Sequence, residues 1–312
     1  MCYELDKKDI KPMIDALREF GIANGLPQES LAEGAGVNVS YINAMLNNRT
    51  YVGSTKIADV HFRKVAEYIG YKFDKVYWKH RDIDEYVEVY TQLADAKAKG
   101  NMKIIINTSG FGKTYTSDRF KKENVRFTYR VTVSSLHRLQ DILEELADAL
   151  GITNLKKSQV ARLKQIASKL RTIKLSGGKP IIILDESENL KLPSLKMLKA
   201  LYDAICEYCP IVLIGTEDLI RLLDKLLENK ETGMPQFYRR WKSGIYIVKS
   251  REKDEVFAPF LEDVHDSDLR DLLCSLCDNI GELHDYLEPA MRAADEMGEE
   301  LTESFFRSLY NL

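Results

Sequence analysis

Residues 103 to 114 read Lys103-Ile104-Ile105-Ile106-Asn107-Thr108-Ser109-Gly110-Phe111-Gly112-Lys113-Thr114, a β-branched apolar run that enters a glycine-containing turn closed by Gly-Lys-Thr. This order suits a strand that delivers the chain to a tight turn, whose backbone N–H groups face a phosphate while a helix N-terminus opens behind it. Gly110 and Gly112 let the backbone wrap closely, Lys113 can reach phosphate oxygens, and the Thr114 hydroxyl can ligate Mg2+. The whole segment Asn107, Thr108, Ser109, Gly110, Phe111, Gly112, Lys113, Thr114 and Tyr115 is therefore the candidate nucleotide contact. Asn107 stands where the pattern G-x-x-x-x-G-K-[ST] has its first glycine. Asparagine tolerates left-handed backbone angles well, so the turn is expected to survive. The alternative is an ordinary strand-turn-helix that contains Gly-Lys-Thr.

A second element points the same way. Lys179-Pro180-Ile181-Ile182-Ile183-Leu184-Asp185-Glu186 is an apolar run ending in paired carboxylates. It fits a strand buried on both faces of a parallel sheet, with its C-terminal end at a ligand crevice. There Asp185 would hold Mg2+ through its water shell and Glu186 would orient an attacking water. A core strand followed by an acidic helix start would also read Asp-Glu-Ser-Glu.

At 312 residues, 45% hydrophobic and 30% charged, the chain has room for two domains and a large core. It holds no run of 18 apolar residues, and Met-Cys-Tyr-Glu-Leu-Asp-Lys-Lys lacks the core of a signal peptide, so a cytoplasmic protein without a membrane partner is expected. Five cysteines argue against a disulfide framework. Cys206-x-x-Cys209 and Cys274-x-x-Cys277 have the outline of two zinc half-sites, but their apolar settings favour core thiols.

The net charge of −3 conceals segregation. Ile152 to Lys179 carries eight basic residues, among them Lys156, Lys157, Arg162 and Lys164, and no acidic one, whereas Glu252 to the C-terminus carries 17 acidic against 4 basic residues. One face suits a polyanion and the other a basic partner, the alternative for the basic stretch being a solvated helix face.

Along the chain, residues 1–70 read as a small all-helical unit. Gln28 to Ile42 has helix, glycine turn and second helix capped by Asn38, with Ala32, Val37, Ile42 and Leu46 between the helices and Val39, Ser40, Tyr41 and Asn43 outward. This is a helix-turn-helix pattern, and Asn38, Ser40, Tyr41 and Asn43 are candidate DNA contacts. With 8 basic and 9 acidic side chains in residues 1–70, it should bind DNA weakly by itself, and protein contact is the alternative. Residues 71–100 read as a connector with a short strand and a helix. Strands and helices alternate through 101–250, which predicts an α/β, doubly wound parallel sheet; residues 251–312 read as helices only, a lid.

With the loop, the acidic pair and Thr216 in this order, the central part resembles the AAA+ class of P-loop ATPases. Together with the helix-turn-helix and the length, the whole chain resembles the phage Mu B transposition protein family, ATP-dependent target-DNA activators. The resemblance implies a P-loop AAA+ core between an N-terminal all-α helix-turn-helix domain and a C-terminal helical lid, with ATP and Mg2+ as cofactors. It implies that Thr216 senses the γ-phosphate and that Arg239 or Arg240 in Met234-Pro235-Gln236-Phe237-Tyr238-Arg239-Arg240-Trp241 is a finger donated to a neighbouring subunit. His284, in Gly281-Glu282-Leu283-His284, stands where an arginine is usual in the lid, which with Asn107 implies slow turnover. The implied partners are double-stranded DNA, bound largely without sequence preference, a transposase, and further copies in a helical filament or ring. The same residues also admit a transcription regulator whose ATPase is a sensor, or a helicase-loader ATPase.

Overall fold

The structure is a computed structural model that describes residues 5, 7–71, 76–249 and 251–312. The chain divides into two compact units, Met1–Tyr77 and Trp78–Leu312.

The first unit packs helices α1 (Lys7–Asn24), α2 (Gln28–Ala35), α3 (Val39–Leu46) and α4 (Asp59–Ile69) around Met13, Leu17, Ala32, Ile42, Met45, Phe62 and Val65. Gly36, at φ 60°, ends α2, and the Asn38 side chain accepts from Ser40 N to start α3. Ala32 and Ile42 are buried and Val37 and Leu46 half-buried against this core, as their spacing predicts. The unit is not wholly helical. Strands β1 (Tyr51–Val52) and β2 (Thr55–Lys56) form an antiparallel hairpin whose turn places Gly53 at φ 60°. The hairpin is too short to show as a strand pattern in the sequence.

In the second unit, α5 (Asp84–Lys99) precedes β3 (Lys103–Ile106), α6 (Lys113–Glu123), β4 (Thr128–Thr132), α7 (Leu139–Ala149), α8 (Gln159–Leu175), β5 (Ile181–Asp185), α9 (Leu192–Ile205), β6 (Ile211–Gly215), α10 (Glu217–Glu228), α11 (Met234–Trp241) and β7 (Ile245–Ile247). Helices α12 (Lys253–Leu261), α13 (Ser267–Leu276), α14 (Ile280–Met297) and α15 (Glu303–Tyr310) follow. The five strands pair in parallel in the order β4-β5-β6-β3-β7. The expected short strand in 71–100 has no counterpart among described residues 76–100, and 72–75 lie outside them.

Alternation along the central strands explains the layering. Ile104, Ile106, Ile182, Leu184, Ile211 and Leu213 face one core with Leu143, Leu170, Leu198 and Trp241. Ile105, Ile181, Ile183, Val212 and Ile214 face the other with Val89, Leu93 and Phe120. Each such aliphatic side chain contributes about 1.5–3 kcal/mol on burial, so runs apolar on both faces belong in the middle of a sheet wound by helices on both sides. The first and last charged residues of the central β3 and β5 mark the ends of this layer. Lys103 is buried at one end and paired with Asp95 at 2.6 Å, and Asp185 lies fully buried at the other.

The C-terminal helices have a separate core built on Phe257, Leu261, Leu269, Leu283, Leu287 and Phe306, with Trp78 and Phe111 packed against it. Arg251, just ahead of α12, is held by Asp84 at 2.9 Å and Glu88 at 2.7 Å on α5. The expected core thiols divide. Cys209 and Cys277 are buried, Cys274 is half-buried, Cys206 is exposed, and Cys2 lies outside the described residues. Cys206 sits one residue beyond α9, where the chain turns away from the apolar layer that takes up Cys209.

Candidate functional site

The three parallel strands β3, β5 and β6 end together, and the segments leaving their C-terminal ends line one cavity of about 490 Å3. After β3 comes the loop Asn107–Gly112, with Gly110 at φ 77° and Gly112 at φ 75°, conformations that favour glycine. Gly110 is doubly constrained, because a Cβ there would lie 2.3 Å from the Asn279 side chain. Asn107 departs from expectation, since it has no positive φ among the described residues. It closes the loop by its side chain instead, Oδ1 accepting from Thr108 N at 2.8 Å and Nδ2 donating to Phe111 O at 3.4 Å. A glycine could supply neither bond.

Lys113 starts α6 and folds onto the loop, its Nζ donating to Asn107 O at 3.1 Å and Thr108 O at 2.8 Å. Burial pulls its ammonium below the ordinary lysine value, opposed by Glu188, Asp185 and Glu186. A buried cation at the N-terminus of a helix calls for an anion. Thr114 is exposed beside it, and Tyr115 stacks on His80 with its hydroxyl 3.0 Å from Nδ1. Ser109, Gly110, Phe111, Gly112, Lys113, Thr114 and Tyr115 all line the cavity.

After β5, Glu186 turns into the cavity at φ 53°, a left-handed conformation that costs a non-glycine residue about 1–3 kcal/mol and is concentrated at functional sites. Asp185 lies elsewhere than expected. It is fully buried and does not line the cavity, and its oxygens accept from Arg130, Ser117 and Glu186 N. The second cavity carboxylate is Glu188, whose Oε2 lies 3.4 Å from Thr216 N. It was legible only as part of an acidic helix start.

After β6, Thr216 occupies the N-cap position of α10, yet its side chain makes no capping bond. Its Oγ1 is buried without a partner among the described residues. A threonine that forgoes its cap and faces a cavity leaves a polar group for a ligand to satisfy, since a buried hydroxyl without one costs about 1–3 kcal/mol. The hydroxyls of Thr114 and Thr216 and the carboxylates of Glu186 and Glu188 are hard oxygen donors that fit Mg2+ and phosphate.

The far end of the cavity is aromatic. Trp78 stacks on Phe260 with centroids 4.6 Å apart, and His80, Tyr86 and Ile280 complete the wall. His284 lines it too, edge-on to Trp78 at 5.1 Å with Nδ1 2.9 Å from Asp285 Oδ1. Apart from His284, none of these was visible as a site residue in the sequence, because they come from separate segments that the fold brings together.

The remaining candidates lie apart from the cavity. Arg240 is engaged within the chain, pairing with Asp203 and lying 5.1 Å over the Tyr202 ring. Arg239 is exposed on the same helix. Lys156, Lys157 and Lys164 are exposed, but Arg162 donates to Glu144 at 2.5 Å and to Lys156 O at 2.7 Å, so its charge is met by α7. In the first unit Ser40 and Asn43 are exposed, and Asn38 is committed to capping. Tyr41, expected outward, is half-buried, its ring 4.6 Å from that of His61 on α4.

Residues 97–223 match the AAA domain family. Over 200 residues the chain is 28% identical to the Mu-like prophage FluMu DNA transposition protein B of Haemophilus influenzae, a match covering 61% of this chain and 65% of that one. Its fold is similar to that of Cdc6p from Pyrobaculum aerophilum, with a TM-score of 0.53 at 16% identity over 72% of this chain and 66% of the other. The chain thus spans just under two thirds of the length of each. Fold and site define an AAA domain with a P-loop over residues 97–223, the class of the AAA+ ATPases. Within that class the chain is similar, over the 200 matched residues, to a Mu-like prophage transposition protein B.

Proposed function

We propose that this chain binds ATP in the cavity at the ends of β3, β5 and β6, hydrolyses it slowly, and uses the bound nucleotide to assemble copies of itself on duplex DNA and direct a transposase. The observation that carries the nucleotide reading is one cavity lined by Lys113 at a helix N-terminus and by Thr216, whose buried hydroxyl has no partner among the described residues. In this reading Lys113 and the loop N–H groups hold the phosphates, while the aromatic end around Trp78 and Phe260 takes the base. Thr114, with Glu186 and Glu188 beside it, would hold Mg2+, which when bound neutralises phosphate charge. Glu186 orients the attacking water, with Thr216 aligned on the terminal phosphate.

Arg239 is the candidate finger, because Arg240 is already spent on Asp203 and Tyr202. An arginine supplied by a neighbouring copy makes turnover depend on assembly. Lys156, Lys157 and Lys164 form the phosphate-tracking face, so binding is largely indifferent to sequence and sensitive to salt. Helices α2 and α3 form a helix-turn-helix that adds a weak contact through Ser40 and Asn43. The acidic C-terminal helices suit a basic transposase surface, and the setting is cytoplasmic; among the described residues no helix is long and apolar enough to cross a membrane.

The test is nucleotide binding by Lys113→Ala and phosphate release by Glu186→Gln. The first variant should lose ATP binding and the second keep it while losing turnover. Undiminished ATP binding by Lys113→Ala would overturn the site assignment.

A further inference from the structure

Strand β4 carries an arginine in the layer between the sheet and the phosphate-loop helix. The Arg130 side chain is 11% exposed, and each nitrogen of its guanidinium has a partner. Nη2 donates to Asp185 Oδ2 at 2.8 Å, Nε to Ser117 Oγ at 2.8 Å, and Nη1 pairs with Asp118 Oδ1 at 3.0 Å. Ser117 in turn lies 3.0 Å from both Asp185 Oδ2 and Thr114 O, and its single proton can serve one of them at a time. Asp185 Oδ1 accepts from Glu186 N at 3.0 Å. One guanidinium therefore joins the end of β5, which Glu186 follows, to α6, which bears Thr114.

A buried ion pair of this kind adds little net stability, because desolvation offsets the attraction. Its effect is on geometry, since the planar fork holds its partners in one arrangement. It also sets charge, because the carboxylate at the end of β5 already faces a cation.

We infer that Arg130 is a positioning residue of the nucleotide site, a built-in cation that holds Asp185 against the phosphate-loop helix and limits the contribution of Mg2+ to nucleotide affinity. The inference rests on the ATP-binding reading above. Removing the guanidinium charge leaves Asp185 free to attract a divalent cation, so Mg2+ should matter more. Removing the charge of Asp118, whose side chain is 48% exposed, commits Arg130 more fully to Asp185, so Mg2+ should matter less.

The experiment is calorimetric titration of the full chain with a non-hydrolysable ATP analogue, in Mg2+ and in excess chelator. Its readout is the ratio of the two affinities in wild type, Arg130→Gln and Asp118→Asn. The expected ratio rises at least about fivefold in Arg130→Gln and falls at least about twofold in Asp118→Asn, opposite shifts that general loss of structure does not produce. Should Arg130→Gln fail to fold, Asp118→Asn decides alone by the direction of its shift. An unchanged ratio in Asp118→Asn, or shifts in the same direction, overturns the inference while leaving nucleotide binding intact. A wild-type chain that binds no nucleotide in either buffer overturns the functional reading and this inference with it.

Discussion

The backbone N–H of Gly281 donates to the carbonyl of Gly110 at 3.1 Å, so the first turn of α14 rests on the phosphate loop itself. Asn279 caps α14 by accepting from Glu282 N and stands where a Cβ on Gly110 would project. The phosphate loop and the start of α14 are thereby in direct contact.

Gly110→Ala tests that coupling. The substitution meets both a positive φ and the Asn279 side chain, so it should displace the cap and cost about 2–3 kcal/mol. Thermal unfolding and analogue affinity should fall together. A variant of native stability that binds normally would show that the lid does not read the loop.

Thr216→Val separates ligand sensing from folding. The hydroxyl makes no bond among the described residues, so its loss should leave stability equal or slightly raised. Turnover should fall by about 10²-fold with little change in KM, because the interaction is reserved for the reacting phosphate. Loss of stability with unchanged turnover would make Thr216 a structural residue.

The two adjacent arginines should divide cleanly. Arg239→Ala should remove most assembly-dependent hydrolysis without altering the melting temperature. Arg240→Ala should lower stability by about 1 kcal/mol through loss of Asp203 and the Tyr202 ring. Phosphate-release assays at several protein concentrations distinguish them, and the reverse pattern would exchange the roles.

How far the sequence carried the site depends on where each constraint sits. Gly110, Gly112, Lys113 and Thr114 were legible because phosphate binding imposes a local backbone path, and the apolar strands because burial on both faces leaves a continuous pattern. Asn107 was legible as a departure, though the hydrogen bonds that make it work depend on the turn already formed. Asp185 was read as a metal ligand, and only the fold shows that Arg130 and Ser117 occupy it. Arg130 is the one charged residue of β4, and nothing beside it in the sequence marks it as a partner of Asp185. Trp78, Tyr86 and Phe260 carry no local mark at all, since an aromatic wall assembled from distant segments exists only after folding.

Thiol labelling tests the burial of the cysteines. Burial pushes the Cys277 thiol up to about 11, and it pushes that of Cys209 up as well. At pH 8 both remain protonated and enclosed, so peptide mapping after iodoacetamide treatment should find exposed Cys206 modified well before either. Labelling of native Cys277 should rise only as pH approaches 11. Equal rates at Cys206 and Cys277 at pH 8 would contradict the lid packing.

The central claim is that the nucleotide in this cavity gates DNA binding, and anisotropy of a labelled duplex of arbitrary sequence tests it most directly. Measured with ATP and Mg2+, with no nucleotide, and with Lys113→Ala, the account predicts tight, salt-sensitive binding in the first case alone, equal on a scrambled duplex. Binding of one particular sequence that is unaffected by ATP or by Lys113→Ala would contradict it.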